Sequence, residues 1–199
     1  MKMTKVEKRF VNSARHSRRV AEAAVRRLRA VPVQPGQHYL DVGCGNGAAA
    51  LLVAGAFGLH VTGVDLDADQ IDCARQAAGQ DSRVAFFEAD ATSLPFPDGS
   101  FHIVATNKTL HHIGEWEAAM AESVRVLKPG GYLVFADLVV PRWLAAAVGH
   151  LTRGHRPATM DALRRFTRRA GLRQIREVKR GIALDAVWQR PPALAPKRP

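Results

Sequence analysis

The chain has 199 residues, 47% of them hydrophobic, which is enough to bury one full core and predicts a single domain. Its two cysteines, Cys44 and Cys73, are too few for a disulfide framework and have no partners at metal-ligand spacing, so we expect no metal site. The formal net charge of +11 raises the question of an anionic partner.

The same composition bears on the membrane question. The longest nearly unbroken apolar run, residues 48–59, is well short of the roughly 20 residues that cross a bilayer. Residues 1–10 lack the apolar core of a signal peptide. We therefore expect a cytoplasmic protein.

The predicted elements alternate between helices and strands from the N-terminus onward. In chain order they are an amphipathic helix over residues 14–30, a strand over 38–42, a helix over 48–57, a strand over 60–65 and a helix from Asp67 to Gly79. Asp67 followed by Gln70 is an acidic variant of the capping box, which places the start of the last of these helices.

The alternation continues in the second half of the chain. We predict strands over residues 84–87 and 101–105, a helix around Trp116 that ends at Pro129-Gly130-Gly131, a strand over 132–137, a helix over 159–170 and two strands over 172–179 and 182–189. Helices and strands that alternate at this length predict an α/β fold with a parallel sheet covered on both faces.

Three glycines follow the first predicted strand at alternate positions, in the stretch DVGCGNG. Gly43, Gly45 and Gly47 allow the backbone to turn tightly and to approach a ligand, whose polar or anionic group the first N–H groups of the next helix favour. Asp65 ends the second strand, where a carboxylate can accept hydrogen bonds from both hydroxyls of a ribose. A dinucleotide and S-adenosylmethionine both carry such a ribose, so these residues leave the cofactor open.

Later motifs decide between the two cofactors. Asp90 follows the third strand at the carboxyl edge of the sheet, where its carboxylate can accept the amino group of an adenine. The series DVGCGNG, GVDLD, FFEADATSLPFPDGSF, TLHHI and RVLKPGGYLVFAD resembles the class I S-adenosylmethionine-dependent methyltransferases, in particular small members related to the ubiquinone/menaquinone-biosynthesis methyltransferases. The resemblance covers about residues 38–140.

The resemblance implies a fold, a cofactor and a set of site residues. The fold is a Rossmann-like, seven-stranded, mostly parallel sheet with an antiparallel C-terminal hairpin and helices on both faces, and the cofactor is S-adenosyl-L-methionine. The methionine moiety would be lined by Asp41, Gly43, Gly45 and Gly47, and Asn107 would contact it and face the acceptor. The ribose would be held by Asp65. The adenine would lie against Leu66, with Asp90 and Ala91 framing its edge.

The domain organisation follows the same resemblance. We expect a single methyltransferase domain over residues 1–191, with a basic helical cap at 1–36, a cofactor-binding core at 37–140 and a substrate-side segment with the hairpin at 141–191. Residues 192–199 are expected to form a disordered tail. Two departures, His102 in place of the usual aspartate and the lack of the aromatic N-terminal motif of the quinone enzymes, weaken any transfer of substrate.

The implied reaction is methyl transfer by in-line displacement to a small-molecule or lipid/quinone-like acceptor. Holding the acceptor against the methyl group and excluding water supply most of the acceleration. A general base is needed only where the acceptor must lose a proton, and His111 and His112 are the candidates. The alternative is that this histidine pair packs against and caps the next helix.

The basic residues lie at the two ends of the chain. Residues 1–39 have ten Lys/Arg against two Asp/Glu, residues 40–141 have five against thirteen, and residues 142–199 have fourteen against three. These ends are either solvated helix faces or surfaces that attract an anion. In the family, both ends usually cover the acceptor pocket, so we expect them to converge on its mouth and to favour an anionic acceptor.

Two other functions compete with this interpretation. A nucleic-acid methyltransferase would use the basic ends, but Thr106-Asn107-Lys108-Thr109 stands where base-amino methyltransferases carry Asn/Asp-Pro-Pro-aromatic, which makes nucleic acid an unfavoured partner. A lipid methyltransferase at a membrane surface would dock Trp143-Leu144 and the arginine-rich helix at 163–169 on anionic lipid.

Overall fold

A seven-stranded sheet forms the centre of the molecule in the computed structural model, which describes residues 14–141, 145 and 158–193. The strands are β1 His38–Val42, β2 His60–Asp65, β3 Val84–Glu88, β4 Phe101–Asn107, β5 Leu127–Leu138, β6 Arg173–Arg180 and β7 Ala183–Gln189. Their order is β3-β2-β1-β4-β5-β7-β6. The first five strands are parallel, and β7 runs antiparallel to both β5 and β6, so the predicted α/β sheet with its antiparallel hairpin is confirmed.

Helices cover both faces of this sheet, as predicted. They are α1 Ala14–Leu28, α2 Ala48–Phe57, α3 Ala68–Ala78, α4 Trp116–Val126 and α5 Met160–Arg169, with a short 3-10 helix at Leu110–His112. One apolar core joins α1, α2 and α3 to one face, and a second joins α4 and α5 to the other. In the ranges that the structure describes, no helix is long and apolar enough to cross a membrane.

The strand order reverses at β1, which lies between β2 and β4. Asp41 of β1 is level with Gly63 of β2 and Ala105 of β4, so the carboxyl ends of these parallel strands meet at one edge. Crevices at such reversal points are where open α/β sheets bind ligands. The topology therefore places the glycine loop, Asp65 and Asn107 around a common space.

The start of β5 differs from the prediction. The segment Pro129-Gly130-Gly131 was expected to end α4 as a turn, but α4 ends at Val126 and the chain passes directly into β5. Leu127 already pairs with Phe101, and a bulge then precedes the regular pairing of Tyr132 with Ile103. The glycines serve this bulge: a Cβ on Gly131 would lie 2.8 Å from the carbonyl oxygen of His102.

Several predictions concern residues outside the described ranges. These are residues 1–13 of the cap, the expected membrane contact at Trp143-Leu144 and residues 194–199 of the tail. The remaining boundaries agree with the predicted ones to within about two residues.

Candidate functional site

A cavity of about 640 Å³ opens at the carboxyl edge of the sheet. The loops that follow β1, β2, β3 and β4 form its floor, and His16, Ser17 and Val20 of α1 close one side. This volume lies in the range of sites that bind cofactors and small molecules.

Most of the residues named from the sequence line this cavity. They are Gly43, Gly45, Asp65, Leu66, Asp90, Ala91, Asn107, His111 and His112. Asp41 and Gly47 do not line it. Asp41 is buried beneath the cavity, and a Cβ on Gly47 would lie 2.8 Å from Cζ of Phe86, so Gly47 serves the packing of the loop against β3.

The glycine loop is held in a conformation that other residues rarely adopt. The φ angles are 74° at Gly43, 53° at Gly45 and 77° at Gly47. A Cβ on Gly43 would overlap the side chain of Thr109, whose hydroxyl donates a hydrogen bond to the Gly43 carbonyl at 3.3 Å. The loop after β1 is thereby fastened to the loop after β4.

Asp65 fastens the same loop to β2. Its Oδ2 accepts the Gly45 N–H at 2.9 Å and its Oδ1 accepts the Asp67 N–H at 3.0 Å. Each oxygen can accept one further donor, so the carboxylate can hold two hydroxyls from the cavity side. Burial raises the pKa of Asp65, and the backbone N–H groups of Asp67, Gly45 and Leu66 oppose that shift.

The predicted capping box at Asp67 is wrong in its second half. Asp67 does cap α3, since its side chain accepts the Asp69 N–H at 3.1 Å. The Asp67 N–H, which Gln70 would bind in a capping box, instead donates to Asp65. Gln70 buries its side chain, and its Oε1 has no hydrogen-bond partner among the described residues.

The opposite end of the cavity presents Asp90, Ala91 and Leu66. Asp90 Oδ1 accepts the N–H and the hydroxyl of Thr92, both at 2.8 Å, and these bonds lower the pKa of Asp90. The carboxylate of Asp90 therefore stays charged, and Oδ2, which accepts neither bond from Thr92, can accept an amino group. Leu66 is 43% exposed and gives the cavity an apolar wall beside this acceptor.

Asp41, buried beneath the glycine loop, is hydrogen-bonded to Asn107, which is half-buried and lines the cavity. Asn107 Nδ2 donates to Asp41 Oδ1 at 3.3 Å. Burial raises the pKa of Asp41 to about 7, Asn107 opposes the shift, and the charge of Asp65 adds to it. Asp41 thus orients Asn107 from below the cavity.

His111 is paired with an aspartate that the sequence interpretation did not include. His111 Nδ1 lies 2.6 Å from Asp137 Oδ1, and Asp137 is 4% exposed and also accepts the N–H groups of Leu110 and Leu138, each at 2.7 Å. In the tautomer that donates Nδ1–H to this carboxylate, Nε2 is the accepting nitrogen. The next helix, α4, begins at Trp116 with Glu115 as its N-cap residue.

One signal in the sequence points to Asp137. It ends a buried strand at the carboxyl edge of the sheet, as Asp65 does, but the stretch YLVFAD reads as a plain core strand.

Comparison with known proteins points to a methyltransferase domain. The family model described as "Methyltransferase domain" matches residues 40–135, which include the glycine loop, Asp65, Asp90 and His111. This part of the chain is similar to the class I S-adenosylmethionine-dependent methyltransferases.

Two curated relatives of this methyltransferase domain illustrate the similarity. The 27-O-demethylrifamycin SV methyltransferase of Amycolatopsis mediterranei (strain S699) is 40% identical over 115 residues, covering 56% of this chain and 42% of that protein. The 2-methyl-6-phytyl-1,4-hydroquinone methyltransferase of Synechocystis sp. (strain ATCC 27184 / PCC 6803 / Kazusa) is 39% identical over 103 residues, covering 52% and 32%. The chain thus spans less than half the length of these relatives.

A solved structure supports the same fold. The [4+2]-cyclase SpnF superposes with a TM-score of 0.76 at 23% identity, covering 87% of this chain and 82% of that one. At this identity the likeness concerns the fold alone, because one fold hosts different chemistries.

The described lining of the cavity carries little positive charge. Among the described residues that line it, Lys108 is the one lysine or arginine. Lys108 is also the one non-glycine residue with a positive φ, 56°, in the described ranges. The convergence of both basic ends on the mouth stays a prediction, because much of each end lies outside the described ranges. Within those ranges, α1 lines the cavity with His16, Ser17 and Val20.

Proposed function

We propose that the chain transfers a methyl group from S-adenosylmethionine to a small-molecule acceptor. The observation that carries this proposal is the convergence of Asp65, Asp90 and the glycine loop with Asn107 and His111 on one cavity of about 640 Å³. One end of the cavity offers acceptors for a ribose and an amino group, and the other offers a base.

The residues present fit the cofactor. Asp65 keeps one accepting position on each oxygen for the two ribose hydroxyls, and Asp90 keeps Oδ2 for the adenine amino group beside the apolar wall of Leu66. Gly43 and Gly45 present backbone to the methionine part. Asp41 and Gly47 support this arrangement from outside the cavity. The cofactor supplies a methyl group on a sulfonium, whose leaving group is a neutral thioether.

The chain's own contribution is mainly positioning. A preformed pocket that holds an acceptor's lone pair in line with the methyl group replaces an unfavourable bimolecular encounter. The side chains that α1 places over the cavity exclude water from it. Neither role needs a charged group at the reacting atoms.

His111 is the proposed general base for a hydroxyl acceptor. Its Nε2 would take the hydroxyl proton while the oxygen–methyl bond forms and the sulfur–methyl bond breaks. Asp137 would act as a positioning residue, since it fixes the ring through Nδ1 and stabilises the imidazolium. His112, whose ring centroid lies 3.9 Å from that of His111, supports the ring on one face.

We infer an acceptor of the small-molecule or lipid/quinone-like class. The names of the two curated relatives refer to a rifamycin oxygen and to a phytyl hydroquinone. The cap at residues 1–36 and the segment at 141–191 would contribute the acceptor side of the pocket, the core at 37–140 would hold the cofactor, and the enzyme would work in the cytoplasm. The described residues that line the cavity include no arginine, which weighs against a nucleic-acid substrate.

A labelled-methyl screen tests the activity. The full chain is incubated with methyl-labelled S-adenosylmethionine and a fractionated extract, and label transferred to a low-mass compound is the expected result. His111→Asn serves as the active-site control, and Asp72→Asn, an exposed change on α3, serves as the matched surface control. Transfer of the label to RNA or DNA alone would contradict the proposal, and so would conversion of a compound in the extract without transfer of the label.

A further inference from the structure

A second cavity, of about 270 Å³, lies between the C-terminal half of α1 and the β6–β7 hairpin. Arg26 and Arg27 of α1 line one wall, and Arg176 and Arg180 of β6 line the other. These residues come from the two basic ends of the chain. The hairpin's antiparallel return brings the ends together here, on the sheet face that α1 covers.

The charges of this arginine cavity are poorly balanced. Asp185 is its one acidic lining residue in the described part of the chain, and Arg27 Nε binds it at 2.7 Å. The side chains of Arg176 and Arg180 make no hydrogen bond or ion pair with the described residues. They lie four residues apart on one strand, so both side chains project from the same face of the sheet.

The geometry favours a multivalent oxyanion. A guanidinium presents its N–H groups as a fork that binds phosphate oxygens two at a time, and it stays protonated at any physiological pH. Walls that offer three arginines beyond the Arg27–Asp185 pair can surround such a group from two sides. The site is recessed between a helix and two strands. Such a recess fits a small group that can enter it better than it fits a flat partner surface.

We propose that the arginine cavity binds the phosphate or diphosphate group of a soluble small molecule. This assignment goes beyond methyl transfer and does not depend on it. It also brings arginines from both basic ends of the chain to one site.

Arg27 is left intact in the test, because its Nη1 also donates to Asn107 Oδ1 at 3.4 Å, next to the large cavity. The double variant Arg176→Gln/Arg180→Gln removes two charges from exposed positions on the edge strand. Its matched control is Arg165→Gln/Arg169→Gln, which removes the same charge from exposed positions on α5, on the opposite face of the sheet.

The measurement is calorimetric titration of the full chain with inorganic diphosphate at constant ionic strength. We expect saturable binding by the wild type and the control, and at least tenfold weaker binding by the Arg176/Arg180 variant. Arg180→Gln alone is the fallback if the double variant does not fold, as judged by circular dichroism, and is expected to weaken binding severalfold.

Three results would overturn the assignment. The first is no saturable binding of diphosphate to the wild type, and the second is an equal loss of binding in the α5 control. The third is retention on phosphatidic-acid vesicles or on a single-stranded RNA without any response to soluble diphosphate, which would assign the arginines to a surface or to nucleic acid.

Discussion

Replacing Asp65 with asparagine separates the two roles of its carboxylate. In the folded chain, one oxygen accepts the Gly45 N–H at 2.9 Å and the other accepts the Asp67 N–H at 3.0 Å. An asparagine amide has one oxygen and one donating NH2 group, so it can accept only one of the two. The other N–H would face a donor at the point where the glycine loop meets β2.

The expected loss of stability follows from these contacts. A backbone N–H that loses its partner in a partly buried site costs about 1–3 kcal/mol. Burial raises the pKa of Asp65, so a neutral side chain recovers part of that cost. We expect a net loss of about 2 kcal/mol, which lowers the melting temperature of a domain of this size by about 4–8 °C.

Calorimetric unfolding of the wild type and of the variant measures this loss directly. The matched control is Asp72→Asn, because Asp72 has a 68% exposed side chain and an ion pair with Arg75 at 3.6 Å. We expect the control to stay within about 0.5 kcal/mol of the wild type. Equal melting temperatures for the Asp65 variant and the wild type would refute the claim that this carboxylate holds the loop.

The same pair of variants tests the ribose contact. We expect Asp65→Asn to bind S-adenosylmethionine at least tenfold more weakly than Asp72→Asn, a difference of about 1.4 kcal/mol. A destabilised Asp65 variant that binds with wild-type affinity would show that the ribose is held elsewhere.

Three further changes follow from the geometry. Gly43→Ala forces a Cβ into the side chain of Thr109 at a φ of 74°, so it should destabilise the fold by about 2 kcal/mol or more and abolish cofactor binding. A free energy of unfolding in urea equal to that of the wild type would contradict this prediction. Asp137→Asn and His111→Asn should each lower the turnover of a hydroxyl acceptor about 10²-fold and shift the pH profile of turnover, while cofactor affinity stays unchanged. Full activity of either variant at neutral pH would show that His111 is not the base. Burial lowers the pKa of His102 below its unfolded value of 6.5, so the folded state binds fewer protons and loses stability as pH falls below about 6.5. Urea unfolding between pH 5 and 8 should show that the free energy of unfolding of His102→Asn depends less on pH than that of the wild type. Parallel pH profiles for the two proteins would contradict this role of His102.

The order of the elements was predictable because each one carries its own local pattern. The apolar strand of β1, the glycines after it and the alanine-rich α2 give boundaries that the structure reproduces. The start of β5 was not predictable, because Pro129-Gly130-Gly131 has the composition of a turn and becomes a bulge only through pairing with β4.

Site residues were predictable where the position of a single residue at a strand end indicates its role. They were not predictable where two residues distant in the sequence must come into contact. Asp65 and Asp90 follow strand ends, and parallel strands bring such ends together. The contact of Asp137 with His111 depends on how the 3-10 helix after β4 turns back over β5, which no local pattern specifies. The arginine cavity likewise depends on β7 inserting between β5 and β6.

Calorimetric titration of the full chain with S-adenosylmethionine, its homocysteine product and NAD tests whether the large cavity binds a methyl donor. We predict saturable binding of the first two ligands at one site. A free ligand concentration of 100 times the dissociation constant should stabilise the fold by about 2.7 kcal/mol. Binding of NAD without any response to S-adenosylmethionine or its product would contradict this prediction.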